Sequence, residues 1–189
     1  MKVFLGWSGE ISHETAQAFV DWLPKVIQAV DPFISSSIPK GKRWGETLAE
    51  ELETTKVGIL CLTRDNLDAK WILFEAGSLS NAKNTHVCTF LLDVKPTDVE
   101  EPLALFQHTS FRKADVQKLL KTINDAVRES SEHALPERTL DDLFETFWPE
   151  LEKTLKEIGT RQKVSSKLRS DREILEEILG IVRTILAEV

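Results

Sequence analysis

The chain has 189 residues, and its hydrophobic share of 41% and charged share of 29% are typical of a globular protein. The net charge of −7 argues against a general nucleic-acid binder, because phosphate backbones require a basic surface. No apolar run is long enough to cross a membrane, and the first residues lack the layout of a signal peptide. We therefore expect a cytoplasmic protein with neither nucleic acid nor a membrane among its partners.

Short apolar runs and helical patterns alternate along the first two thirds of the sequence. The strand-like runs are residues 2–7, 31–35, 57–62 and 87–92, with a weak edge strand at 106–111. Helical spacing of apolar residues marks the segments at 12–30, 44–55, 65–83 and 113–127. Strands without polar–apolar alternation, separated by helices, are typical of a parallel sheet covered on both faces. The sequence predicts an α/β fold with a doubly wound, mainly parallel five-stranded sheet.

Additional C-terminal helices are expected after this sheet. Apolar residues recur at helical spacing over 140–158, and Pro149 predicts a kink there, as Pro24 does in the first helical segment. The tail at 170–189 has an apolar stripe that suits packing on the body or pairing with a second copy. A hinge is expected at 159–163. We expect a sheet domain at 1–128, a helical extension packed on it at 129–159, and a C-terminal amphipathic helix at 160–189.

The segment that most needs an explanation contains Glu75. The predicted helix at 65–83 begins with Asp65-Asn66 as a capping pair, and Trp71 and Glu75 lie at positions i and i+4 on one face. The neighbouring residues are apolar, so the carboxylate is costly to desolvate unless a polar group meets it. A plain structural interpretation also exists, in which Glu75 caps the helix or pairs with a lysine and Trp71 packs in the core.

Three segments of the predicted fold meet at one edge of the sheet. The Ser8-Gly9 turn, the polar loop at 35–44 and the start of the Glu75 helix each follow the end of a strand. In doubly wound sheets, ligands bind beyond the carboxyl ends of the strands. The sequence therefore predicts that a binding site lies at this edge.

Several other kinds of site are disfavoured. Cys61 and Cys88 lie inside apolar runs and are expected to be small buried hydrophobes. The four histidines have no ligand spacing, so no metal site is expected. The GxGxxG fingerprint is missing, which disfavours hydride transfer with NAD.

Four stretches together resemble a bacterial TIR domain. They are residues 3–9, which end in Trp-Ser-Gly, the polar loop at 35–44, residues 58–66, and residues 71–76, which contain Trp-x-x-x-Glu. The chain is most similar to stand-alone prokaryotic TIR proteins of antiphage defence, over about residues 1–128. The resemblance implies the TIR/flavodoxin-like form of the sheet. One departure is Gly6, which stands where a polar residue is often expected.

The resemblance implies an NAD⁺ nucleosidase in which Glu75 is catalytic. It implies NAD⁺ as the substrate, with no prosthetic group and no metal. The substrate-binding residues that it implies are Ser8, Gly9, Ser35, Ser36, Lys42, Arg43, Trp44 and Trp71. The residue types suit this chemistry, because cleavage of the nicotinamide–ribose bond creates a sugar cation that one carboxylate can stabilise.

The roles of the other site residues stay open at the level of sequence. The indole of Trp71 offers a flat surface for an aromatic ring of the dinucleotide. Lys42 and Arg43 either meet the pyrophosphate or only keep the loop solvated. Trp44 either closes over the site or packs in the core.

The resemblance also implies partners. Activity in this family often depends on assembly, so we expect a homo-oligomer formed through TIR–TIR contacts, and a separate effector protein that receives a nucleotide signal. The C-terminal helix lies outside the resemblance, but its apolar stripe suits a further contact between copies. The alternatives are a non-enzymatic TIR signalling adaptor and a nucleoside deoxyribosyltransferase-like enzyme.

Overall fold

The computed structural model describes residues 1–35, 48, 51–82, 85–130 and 132–165. Five parallel strands form one sheet in the order β2-β1-β3-β4-β5. The strands are β1 (Lys2–Gly6), β2 (Asp31–Ile34), β3 (Val57–Leu62), β4 (His86–Leu91) and β5 (Gln107–Ser110). This strand order is that of a flavodoxin-like doubly wound sheet, so the predicted α/β fold is confirmed.

Four long helices accompany the sheet in the described residues. They are α1 (Glu10–Val26), α2 (Lys70–Asn81), α3 (Lys113–Glu129) and α4 (Glu137–Ser165). Two 3-10 turns, Pro96–Asp98 and Leu103–Leu105, lie between β4 and β5. In the segment predicted to be helical at 44–55, residues 48 and 51–54 are helical and Thr55 is not. The other residues of that segment and the tail at 170–189 lie outside the described residues.

Apolar side chains on alternate positions of the strands form two cores, one on each face of the sheet. On β1, Val3 and Leu5 belong to the core shared with α1, α3 and α4, whereas Phe4 belongs to the core shared with α2. All six residues of β3 are buried, as expected for a central strand covered on both faces.

The long helix α4 packs on the sheet domain through α1. Trp22 of α1 donates a hydrogen bond of 2.9 Å from Nε1 to the backbone oxygen of Phe147, and Phe144 and Trp148 are buried in the same core. Arg161 near the end of α4 pairs with the Glu14 carboxylate of α1 through its two terminal guanidinium nitrogens, Nη1 and Nη2. The helix α4 is therefore part of the core of the domain. Within the part of the chain that the structure describes, no helix has the length and apolarity required for a membrane span.

Two expectations about helix boundaries are wrong, namely the start of the Glu75 helix at residue 65 and the hinge at 159–163. The Glu75 helix begins at Lys70, because Asp65 and Asn66 form a turn before it. Pro149 lies inside α4, which runs without interruption through the hinge expected at 159–163. Pro149 is exposed, so water can bond the carbonyl group that the proline leaves free. Pro24 likewise lies inside α1, two residues before its end.

Candidate functional site

The strand order reverses between β1 and β3, which is where a doubly wound sheet binds its ligands. The segment Trp7–Gly9 follows β1, and the turn at 63–69 follows β3. Both segments therefore lie at the carboxyl edge of the sheet, as predicted.

Asn66 joins these two segments. Its side chain is buried, and Nδ2 donates hydrogen bonds to the backbone oxygens of Ser8 at 3.2 Å and Cys61 at 3.0 Å. Its Oδ1 accepts a hydrogen bond of 2.8 Å from the backbone amide of Thr63. Both polar atoms of this buried amide, Oδ1 and Nδ2, are thus hydrogen-bonded, and these bonds join the segments that follow β1 and β3.

Ser12 and Gly9 fix the other side of the β1 turn. The hydroxyl of Ser12 donates a hydrogen bond of 2.7 Å to the backbone oxygen of Cys61 and accepts one of 3.3 Å from the amide of Ser8. Gly9 is the residue immediately before α1 and has a φ of 85°, a backbone conformation that favours glycine. The turn after β1 is thus held by side chains on α1 and after β3.

Glu75 lies in the first half of α2 and is fully buried. Trp71, one turn earlier, donates a hydrogen bond of 2.6 Å from Nε1 to Glu75 Oε1. The other oxygen, Oε2, is buried and has no hydrogen-bond partner among the described residues. A buried polar atom without a partner is uncommon in native proteins, because its desolvation is not compensated.

Gly6 provides the space that this carboxyl occupies. A Cβ atom at Gly6 would lie 2.6 Å from Glu75 Oε2 and 2.6 Å from Leu60 Cδ2. No side chain therefore fits at the end of β1 while Glu75 holds this position. This contact gives a physical reason for glycine where the TIR resemblance leads us to expect a polar residue.

The surroundings of Glu75 favour its protonated form. Burial raises the pKa of Glu75 to about 8, although the hydrogen bond from Trp71 and the nearby backbone amide of Trp7 lower it. The Trp7 amide makes no hydrogen bond of standard geometry with Oε2. At neutral pH most of the carboxyl groups are therefore protonated.

The two cysteines are not suited to act as nucleophiles. Burial, together with the nearby charge of Glu75, raises the pKa of the Cys61 thiol far above its usual range. Burial also raises the pKa of Cys88 to about 11. Among the described residues, no group of three or more histidine, cysteine, aspartate and glutamate side chains is arranged to hold a metal ion.

Five of the residues that the sequence singled out lie within the described part of the chain. Ser8 and Gly9 form the turn after β1, Trp71 and Glu75 are hydrogen-bonded on α2, and the buried Ser35 lies one residue beyond the pair formed by Leu5 and Ile34. The predicted substrate-binding residues Ser36, Lys42, Arg43 and Trp44 lie outside the described residues.

Two residues of this site were not identified from the sequence. The sequence pattern favours a helix cap at Asn66, although an Asx residue directly after a buried strand is also typical of a turn. Gly6 stands out in the sequence only as a departure from the family pattern. A glycine inside an apolar strand signals a close approach by another group, and here that group is the Glu75 carboxyl.

An open cavity of about 280 Å³ lies beside the turn after β1, with Ser8, Gly9, Thr63 and Arg161 in its lining. Glu75 is not in that lining.

A scan of the chain against protein-family models finds no matching family. A search of curated proteins finds no match either. Arguments about function therefore depend on the chemistry of the site.

Proposed function

We propose that the chain is a TIR-type NAD⁺ nucleosidase in which Glu75 stabilises the ribose cation. The observation that carries this proposal is the fully buried Glu75 carboxyl, which accepts one hydrogen bond from Trp71 and has an oxygen without a partner in the described residues. It stands beside the end of β1, at the point where the strand order reverses.

A purely structural role explains this arrangement less well. A buried carboxyl that only stabilises the fold normally has hydrogen bonds to both oxygens, since each unpaired one costs about 1–3 kcal/mol. A ribose hydroxyl would supply Oε2 with a partner, which it lacks among the described residues. Strongly shifted pKa values of this kind also cluster at functional sites.

The reaction needs one carboxylate and no general acid. Cleavage of the bond between ribose C1′ and the nicotinamide nitrogen sends the bonding electron pair to the ring, which leaves as neutral nicotinamide. The positive charge that remains is shared by C1′ and the ring oxygen of ribose. The ionised form of Glu75 stabilises this charge electrostatically. Water then adds to C1′ and releases a proton, which gives ADP-ribose; attack by another group of the same molecule gives a cyclic product.

The Trp71 indole has two roles in this proposal. Its hydrogen bond holds Oε1 in place, while Oε2 has no partner among the described residues and is the oxygen that would meet the substrate. Its ring is partly exposed and lies 5.2 Å from the ring of Phe74, so an aromatic surface adjoins the carboxyl. Such a surface suits a planar base of the dinucleotide.

Assembly and signalling are further parts of the proposal. Because Glu75 is fully buried in one copy of the chain, we propose that assembly through TIR–TIR contacts and the C-terminal helix opens and completes the site. The nucleotide product would then be the signal for a separate effector protein in antiphage defence.

Incubation of the purified chain with NAD⁺, followed by mass spectrometry of the products, tests the proposal. We expect nicotinamide together with linear or cyclic ADP-ribose, a rate that rises more than linearly with protein concentration, and loss of activity in Glu75→Gln. Glu157→Gln, which changes an exposed glutamate of α4, is the matched control and keeps full activity.

Two other outcomes would contradict the proposal. If clustered protein binds partners but never releases nicotinamide, the chain is an adaptor. If deoxynucleosides compete with NAD⁺ and exchange their bases, the chain is a deoxyribosyltransferase-like enzyme.

A further inference from the structure

A second cavity lies at the carboxyl ends of β4 and β5, away from Glu75. Its volume is about 520 Å³, which is within the range of small-molecule sites. One wall is the loop at 92–96, and the opposite wall is the last part of α4. Neither Glu75 nor Ser8 contributes to the lining, so this cavity is separate from the candidate catalytic site.

The floor of this cavity is apolar and its rim is basic. Leu91, Leu92 and Leu155 are buried at its base. Lys95, Arg112 and Lys156 are exposed around it. Three cations that converge on one cavity are notable in a chain whose net charge is −7. Such a lining suits a ligand with an anionic group and an apolar part.

Two of these cations are available to a ligand. Among the described residues, Lys95 and Arg112 make no ion pair, whereas Lys113, next in sequence to Arg112, pairs with Glu145 at 2.6 Å. Within the described part of the chain, Lys156 pairs only with Glu152 on its own helix, at 2.9 Å and in an exposed position where such a pair contributes little.

One acidic residue, Asp93, belongs to the same lining. Arg64 lies on its other side, with Nη2 at 3.4 Å from Asp93 Oδ2 and Nε hydrogen-bonded to the Asp93 backbone oxygen at 3.0 Å. Arg64 therefore offsets much of the negative charge that Asp93 brings to the cavity. The balance of charge around the opening remains positive.

Gly159 keeps the cavity open on the side of α4. A glycine inside a helix costs roughly 0.5–1 kcal/mol relative to alanine. A Cβ atom there would meet only Leu92 Cδ1, at an ordinary contact distance of 3.7 Å, so packing does not require the glycine. The space above Gly159 is instead part of the cavity.

We propose that this cavity binds a small phosphorylated compound with a flat apolar group, such as a nucleoside monophosphate. Arg112 and Lys95 bind the phosphate, because guanidinium and ammonium groups form charge-assisted hydrogen bonds with its oxygens. The apolar group lies on the leucine floor beside the half-buried ring of Phe111. This proposal does not depend on the function of Glu75.

Calorimetric titration of the full chain at low salt with AMP, adenosine and inorganic phosphate tests this proposal. We expect AMP to bind more tightly than either adenosine or phosphate. The double variant Lys95→Glu/Arg112→Glu is expected to weaken AMP binding by at least about tenfold. The matched control is Arg138→Glu/Lys153→Glu, which changes the net charge equally at exposed positions outside the lining and is expected to leave binding within about twofold.

Gly159 provides an independent test that does not alter charge. Gly159→Leu fills the cavity and is expected to weaken AMP binding by about tenfold, whereas Gly159→Ala and Glu75→Gln leave it within about twofold. No binding of AMP at millimolar concentration would overturn the proposal. So would an equal loss in the two charge-reversed variants, which would show a non-specific effect of charge. Phosphate binding as tightly as AMP would contradict a role for the apolar floor.

Discussion

Gly6 and Glu75 meet at the carboxyl end of β1, where a Cβ atom at position 6 would lie only 2.6 Å from Glu75 Oε2. The carboxyl of Glu75 can therefore occupy its buried position only because residue 6, which is distant in sequence, has no side chain. The residue types allowed at positions 6 and 75 are therefore coupled.

Gly6→Ala is expected to destabilise the fold and displace the Glu75 carboxyl. The added methyl group overlaps both Oε2 and Leu60 Cδ2, and overpacking of this kind costs about 1–3 kcal/mol. Urea unfolding measures the loss. The control is Gly77→Ala on α2, where a Cβ atom meets nothing within 4 Å and is expected to stabilise the helix by roughly 0.5–1 kcal/mol. If Gly6→Ala destabilised the wild type and the Glu75→Ala variant equally, the added methyl group would not be displacing the Glu75 carboxyl.

The stability of the protein is expected to depend on pH through Glu75. Burial raises the pKa of Glu75 from 4.5 to about 8, so the unfolded chain loses this proton first as the pH rises. The free energy of unfolding therefore falls between about pH 4.5 and pH 8 and then levels off. Glu75→Gln removes this contribution, so the variant gains stability over the wild type as the pH rises, by an amount of the order of a few kcal/mol. Parallel stability curves for the two proteins between pH 5 and pH 8 would contradict the assignment.

Trp71→Phe is expected to raise the pKa of Glu75 further. The substitution keeps an aromatic ring but removes the Nε1 donor that lowers this pKa. A carboxyl-detected NMR titration of Glu75 measures the change directly. Phe74→Leu is the control, because Phe74 contacts the indole ring but donates no hydrogen bond to the carboxyl. A pKa that is unchanged in Trp71→Phe would mean that this hydrogen bond does not form in solution.

Asn66→Asp is expected to be strongly destabilising although the two side chains have nearly the same shape. The substitution removes both Nδ2 donors, so the backbone oxygens of Ser8 and Cys61 lose a partner and a charge is buried. We expect a loss of about 2–4 kcal/mol in urea unfolding. Asp65→Asn, at the exposed neighbouring position, is expected to change stability by less than about 0.5 kcal/mol. Similar values for the two variants would exclude a structural role for Asn66.

The strands show why much of the fold can be predicted from the sequence. Residues 57–62 form an uninterrupted apolar run, and the strand β3 occupies the same positions with every residue buried. Burial on both faces requires such a run, so the local sequence and the tertiary structure agree. The weak apolar character of 106–111 likewise matches the edge position of β5.

The helix boundaries show where local patterns are insufficient. Asp65-Asn66 suits a helix cap and a turn equally well, and the turn is favoured by the hydrogen bonds of Asn66 to Ser8, in the segment after β1, and to Cys61 of β3. Pro149 and Gly159 are local signals for a break in α4. The burial of Phe144 and Trp148 outweighs those signals, because packing contributes more than intrinsic propensity to helix stability.

For the same reason, only part of the candidate site can be predicted from the sequence. The i, i+4 spacing places Trp71 and Glu75 on one face, and the structure shows them hydrogen-bonded. The space above Gly6 and the unpaired Oε2 depend on β1 and α2 meeting in three dimensions, which no local pattern specifies.

The pH dependence of nicotinamide release from NAD⁺ tests the central claim most directly. If the ionised Glu75 carboxyl stabilises the ribose cation, kcat/KM rises with pH to a plateau above a midpoint near 8, which is the pKa of the free enzyme, and Glu75→Gln shows no release at any pH. A rate that is independent of pH between 6 and 9, or that persists in Glu75→Gln, would contradict the claim.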